Sequence, residues 1–176
     1  MPLIKSYQPR NKGTFVGAVS DEEQGMTVME LDRAGVKAHK AWICTDDFLL
    51  CLGAGIQADS NLVVTTSIEQ CHKKGELLAW KKKEWNTADE KQTATAGEHR
   101  FFHNNTGYIV WGNEGEIVAE TANRTGRWHD VMQMYRPTEV QGEVTTLYLK
   151  HGASPKQAAY QYLILPAADK EKVADF

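Results

Sequence analysis

Five lysines, Lys73, Lys74, Lys81, Lys82 and Lys83, stand around Trp80, and Trp85 follows closely. Ammonium groups attract sulfate or uronate anions, while indole faces lie against the C–H surfaces of sugar rings. Trp80, Lys81, Lys82, Lys83 and Trp85 are therefore the candidate substrate-binding residues, for a sulfated or uronate-containing glycan. The competing reading is a solvated lysine-rich face.

Other groupings fail on spacing or context. Leu52 to Ala58, LGAGIQA, has the glycine pattern of a dinucleotide turn. It leads into the β-branched run Leu62 to Thr66 rather than a helix that could hold a pyrophosphate, so a tight glycine turn between strands is expected. His99 and His103 have the four-residue spacing of a helical zinc pair, but the sequence between them reads as strand, which separates them by about 13 Å. Asp21-Glu22-Glu23 offers clustered oxygens for calcium, or simply a solvated acidic turn. Cys71 beside His72 lacks a CxxC partner. Asn104-Asn105-Thr106 and Asn123-Arg124-Thr125 match the short glycosylation sequon. No nucleophile elbow, phosphate loop or HExxH is present, so no catalytic residue, metal ligand or cofactor site is assigned.

The elements that would position these groups are short β-branched and aromatic runs punctuated by Gly, Asn, Asp and Pro, the pattern of an antiparallel all-β fold. Strands are predicted over Thr14 to Val19, Met26 to Asp32, Val36 to Ile43, Phe48 to Ala54, Asn61 to Ile68, Arg100 to His103, Tyr108 to Trp111, Glu116 to Thr121, Glu143 to His151 and Ala159 to Leu165. With Asp46-Asp47 as a two-residue turn, Cys44 faces Leu49 and Cys51 faces Trp42. The two cysteines are then diagonal, roughly 7 to 8 Å apart, too far for a disulfide, and are expected to be small buried hydrophobes. Val144 to Leu149 carries apolar groups on both faces, which predicts stacked sheets or docking on another domain. Gly75 to Trp85 has good helix formers, Ser154 to Gln157 resembles one capped helical turn, and Asn86 to Gly97 reads as a loop.

The chain has 176 residues, 41% hydrophobic, enough for one core and one β-sandwich domain. Its formal charge of -3 does not advertise a nucleic-acid partner. No apolar run is long enough to span a bilayer, so no membrane partner is expected. The opening MPLIKSYQPRNKG lacks the apolar segment of a signal peptide, which says nothing of a larger parent.

Several segments, in order, resemble the central β-domain of the family 8 polysaccharide lyases, which include chondroitin AC, hyaluronate and xanthan lyases. Gly13 to Asp32 is similar to the family's FVGGVSDG-type strand pair. Lys37 to Ile56 resembles its K-x-W-F-F-F-D-x-E signature with the following L-G-x-G-I. Val64 to Cys71 stands where the family has a TT-hydrophobic-x-Q strand. NNTGYIV, RTGRWHDV and the stretch from Lys150 to Pro166 are similar to NxxGYxF, RTGxWxDI and DHGxxPxxAxYxYxxLP. Ile43-Cys44-Thr45 replaces the family's aromatic run, and Lys150 its acidic residue.

The resemblance implies an antiparallel β-sandwich that is part of a galactose-mutarotase-like supersandwich, cut from a larger lyase with a helical toroid. It implies β-elimination at the uronic acid of an acidic polysaccharide, in a secreted or periplasmic parent that is compatible with calcium but needs no cofactor. In the family the Asn, His, Tyr and Arg that do the chemistry belong to the toroid, and a supporting Glu lies before Gly13. None falls on this sequence, so the isolated chain is expected to be scaffold and cleft wall, with a non-catalytic carbohydrate-binding sandwich as the alternative. Strand edges left open by the missing toroid predict self-association.

Overall fold

The computed structural model describes residues 10–88, 90–112 and 115–176. It begins with β1 (Val16–Ser20), β2 (Gly25–Arg33), β3 (Val36–Cys44), β4 (Leu49–Ala58) and β5 (Val63–His72). Shorter strands follow: β6 (Leu78–Lys81), β7 (Glu84–Thr87), β8 (Gln92–Ala94), β9 (Gly97–His103) and β10 (Thr106–Gly112). The chain closes with β11 (Glu116–Arg127), α1 (Trp128–Val131), β12 (Glu139–Ala153), β13 (Lys156–Leu165) and α2 (Lys170–Asp175). Nine strands form one sheet in the order β1-β2-β3-β4-β13-β10-β9-β6-β7, and four form another in the order β5-β12-β11-β8. Every pairing is antiparallel, as the alternating sequence predicts.

Two apolar clusters hold the layers. Between the sheets, Cys51, Tyr160, Tyr162, Val110 and Phe101 of the large sheet meet Ile117, Ala119, Leu147 and Leu149 of the small one. On the outer face of the large sheet, Ile109, Leu163 and Leu165 are covered by Val173 of α2. That short helix is held at both ends. The Asp169 carboxylate accepts from the Lys172 amide at 2.7 Å, and the Arg100 guanidinium donates to the carbonyls of Val173 and Ala174.

The β3–β4 hairpin has the predicted register, with Trp42 opposite Cys51 and Cys44 opposite Leu49. The Thr45 amide donates to the Phe48 carbonyl at 3.0 Å, and the Phe48 amide donates to the Thr45 hydroxyl at 3.1 Å, closing the turn. All three cysteines are free thiols, but Cys51 alone of the hairpin pair is buried. Cys44 is exposed, because it sits at the hairpin end beyond the reach of the opposite sheet.

The glycine run at Leu52 to Ala58 is not a turn. It lies inside β4, where Gly55 and Ile56 together oppose Ala38, and Gly55 has φ +61. That is a bulge with glycine in the left-handed region. Two residues earlier, Gly53 lies directly opposite Tyr160, whose ring covers the space a Cβ would take.

The candidate helix at Gly75 to Trp85 is the β6–β7 hairpin, in which Trp80 pairs with Trp85. Its two-residue turn needs left-handed backbone at both positions, supplied by Lys82 at φ 53 and Lys83 at φ 65. Lysines carry no turn signal in sequence, so local helix propensity was the only cue there. The expected helical turn at Ser154 to Gln157 is also replaced. Ser154 has φ 49 and its hydroxyl donates to the Ser60 carbonyl at 2.7 Å, after which β13 starts at Lys156. The loop reading of Asn86 to Gly97 holds only in part, since Gln92–Ala94 is β8 against β11; Asp89 lies outside the described residues. In Val144 to Leu149 the inner face is fully buried, while Val144, Thr146 and Tyr148 on the outer face are half-buried.

Candidate functional site

The β6–β7 hairpin divides the five predicted binding residues. Strand alternation puts Trp80 and Trp85 on the outer face, ring centroids 5.1 Å apart. Trp85 belongs to the outer apolar cluster and stands 6.1 Å from Phe102, so its indole is structural on one side. Trp80 stays half-exposed above it. Lys81 points to the other face, where its ammonium donates to the Gln92 side chain. Lys82 and Lys83 are exposed at the turn.

Trp80 and Lys83, with Glu98, Arg100 and Ala174, line an open groove of about 490 Å³. Arg100 is fixed there, because Nε donates to Glu98 Oε1 at 2.8 Å while another nitrogen holds the end of α2. Cationic groups beside an indole face can grip an acidic sugar unit from one side. Arg100 and Glu98 were not singled out from sequence; they reach the groove only because β9 lies next to β6.

A second constellation lies between the sheets. On β5, Glu69 and Cys71 are two residues apart and share the inward face, and His103 at the end of β9 meets them from the large sheet. His103 is fully buried, with Nδ1 2.9 Å from Glu69 Oε1. The Cys71 thiol donates to the same oxygen at 3.3 Å, and its Sγ lies 4.0 Å from His103 Nδ1. Tyr108 neighbours the same carboxylate. Burial and then the Glu69 charge hold the Tyr108 phenol well above its ordinary range. Burial, followed by the hydrogen bond to Glu69, pushes the Cys71 thiol up to about 11. Glu69 Oε2 and His103 Nε2 are buried without a hydrogen-bond partner. Sequence spacing gave no sign of this group, since 32 residues separate Cys71 from His103 and only sheet stacking joins them.

The remaining motifs stay apart. His99 shares β9 with His103, and its Nε2 contacts the Ala96 carbonyl at 2.8 Å. Asp21 Oδ1 accepts from the amides of Glu23 and Gln24 at 3.2 and 2.7 Å, and the Gln24 amide, foremost, holds its carboxyl below the usual range. The carboxylate closes its own turn. Asn104 and Asn105 form the left-handed β9–β10 turn, and Asn123 lies within β11. Lys150, in place of the family's acidic residue, donates to Glu116 Oε2 at 2.9 Å.

Comparison with known proteins places this architecture. The family model described as polysaccharide lyase family 8, super-sandwich domain, matches residues 3–176. Chondroitinase-AC of Pedobacter heparinus is 30% identical over 171 residues, covering 96% of this chain and 24% of that protein. Hyaluronate lyase of Thermasporomyces composti is 27% identical over 164 residues, covering 90% of this chain and 21% of that protein. A chondroitinase AC lyase solved with oligosaccharides superposes with a TM-score of 0.81 at 28% identity, covering 92% of this chain and 24% of that one. The chain thus spans about a quarter of the length of these relatives. With residues 3–176 matching the family's super-sandwich model and 92% of the chain superposing on a family structure, the chain belongs to polysaccharide lyase family 8, as its super-sandwich domain.

Proposed function

We propose that the chain is the β-sandwich portion of a lyase that cleaves uronic-acid-containing polysaccharides, such as chondroitin or hyaluronan, by β-elimination. In that reaction a base removes the proton alpha to the uronate carboxylate, the carboxylate charge is neutralised, and the 4-O-glycosidic bond breaks to leave an unsaturated sugar. The observation that carries this reading is the alignment of 171 residues with a chondroitinase that is about four times as long. The chain supplies scaffold and one wall of the cleft. In this reading a helical partner domain supplies the groups that move the proton, and a parent that acts on an extracellular polymer works outside the cell or in the periplasm.

Two features of the molecule suit that role. The apolar side chains of the hairpin end, Trp128, Val131, Met134 and Tyr135, are exposed, as expected of a surface that a further domain covers. In the isolated chain the same surface and the β1 edge favour self-association, which sedimentation at rising concentration will register. The test of function is to incubate the purified chain with chondroitin sulfate and hyaluronan and follow the ultraviolet absorbance of unsaturated uronate. No turnover is expected, and steady product formation would overturn the scaffold role.

The groove beside Trp80 favours a second reading, a non-catalytic carbohydrate-binding module. Binding of sulfated glycans that weakens with salt, and with Lys81, Lys82 and Lys83 changed to Ala, would support the module over the bare scaffold.

A further inference from the structure

A largely buried carboxylate whose one oxygen meets both a thiol and an imidazole nitrogen offers three ligand atoms at one point. Glu69 is such a carboxylate. Its Oε1 receives His103 Nδ1 and Cys71 Sγ, while its Oε2 and the far nitrogen of His103 have no partner. From this geometry we infer that Glu69, Cys71 and His103 form a binding site for a zinc-class divalent ion that braces the two sheets against each other.

The three ligand atoms lie 2.9, 3.3 and 4.0 Å apart. A circle through them has a radius of about 2.0 Å, so an ion slightly above their plane would sit at the 2.0 to 2.3 Å that zinc takes from oxygen, nitrogen and sulfur. Among the described residues this is the group whose metal-ligating atoms converge, all within 4.8 Å. Thiolate and imidazole favour a borderline ion over calcium or magnesium, which take oxygen sets.

Charge and protons balance. On binding, the Cys71 thiol loses its proton to solvent, and His103 gives its Nδ1 lone pair to the ion while a single ring proton sits on Nε2. A doubly charged ion with one thiolate and one carboxylate is then neutral overall, which removes the cost of burying a charge. Tyr108 stands near enough to Glu69 for the carboxylate charge to raise its phenol, and water can complete the ion's coordination. The Glu69 side chain is 14% exposed, which gives the ion a way in. Two ligands come from β5 and one from β9, so the ion would join strands of different sheets, which share no backbone hydrogen bonds.

The inference is independent of the sugar reading and is tested on the whole chain after treatment with a chelator. Titration with Co²⁺ should saturate at one equivalent, with a thiolate-to-cobalt charge-transfer band that Zn²⁺ removes. Cys71→Ser should lose the band and weaken Zn²⁺ binding more than about tenfold, while Cys44→Ser, at the exposed thiol, should keep both. In the unmodified chain, Zn²⁺ should protect Cys71 from maleimide, read by mass spectrometry, so the test survives even if a variant does not fold. Absence of saturable binding, a band retained in Cys71→Ser, or unprotected Cys71 at saturating Zn²⁺ would overturn the site.

Discussion

The large sheet has two ends with similar alternation and different surroundings. From β4 through β9, inward side chains such as Cys51, Tyr162, Val110 and Phe101 are buried under the small sheet, and outward ones such as Ile109 and Leu163 pack in the cluster that α2 helps to cover. At β1 and β2 the same kind of pattern leaves Phe15, Val16, Val19 and Met26 exposed, Val16 at 75%. Among the described residues, β1 contributes to neither apolar cluster. Four strands cannot cover nine. The contrast teaches that alternation fixes which side chains share a face, while a second layer decides whether that face is a core. The β11–β12 hairpin repeats it within one element. Its base buries Ile117, Val118, Leu147 and Leu149, and its far end leaves Trp128 61% exposed, with its ring 6.3 Å from Tyr135.

The sharpest way to break the comparison is to cut side chains at each end. Leu147→Ala, at a fully buried position, should destabilise the chain by about 2–5 kcal/mol in urea unfolding. Val16→Ala should change stability by no more than about 0.5 kcal/mol. Equal costs would mean that the open end is packed after all.

Gly53→Ala should cost about 1–3 kcal/mol, because the added methyl meets the Tyr160 ring. Pairing it with Tyr160→Ala should give less than the sum of the two single costs, a coupling that a double-mutant cycle measures.

The third test is alkaline. Burial raises the phenol pKa values of Tyr160 and Tyr162 above the ordinary 10.0. The unfolded chain therefore loses these protons first, so the stability they confer is complete below pH 10 and declines as pH rises above it. Unfolding free energy should fall from about pH 10 upward, and Tyr162→Phe should make that slope shallower. An unchanged slope would show that the closed end does not shield these phenols.

The smallest effect is expected at the β6–β7 turn. Lys83→Gly should stabilise the hairpin by about 1 kcal/mol, since φ 65 costs a lysine and not a glycine. The same change should weaken glycan binding if the groove beside Trp80 takes an acidic sugar. A stabilised variant with undiminished binding would separate the groove from the lysine.

Much of the fold was legible from particular residues. The β3–β4 register follows from Asp46-Asp47 and the alternation around it, and all ten predicted strands are present, most of them longer than expected. The candidate binding cluster was legible only as composition. Trp80 and Lys83 share the groove, but Trp85 lies in the apolar cluster and Lys81 faces away, a division set by the hairpin that Lys82 and Lys83 turn without any sequence signal.

By itself the sequence determined strand class, the β3–β4 register, free rather than bridged cysteines, and family membership, because each rests on neighbours within a strand or on strings of residues in order. Only the tertiary structure decided that Gly53 and Gly55 shape a strand instead of a turn, and that Glu69, Cys71 and His103 meet. Those outcomes depend on which sheet lies over which. Stacking joins residues far apart in the chain through packing that leaves no local pattern to read.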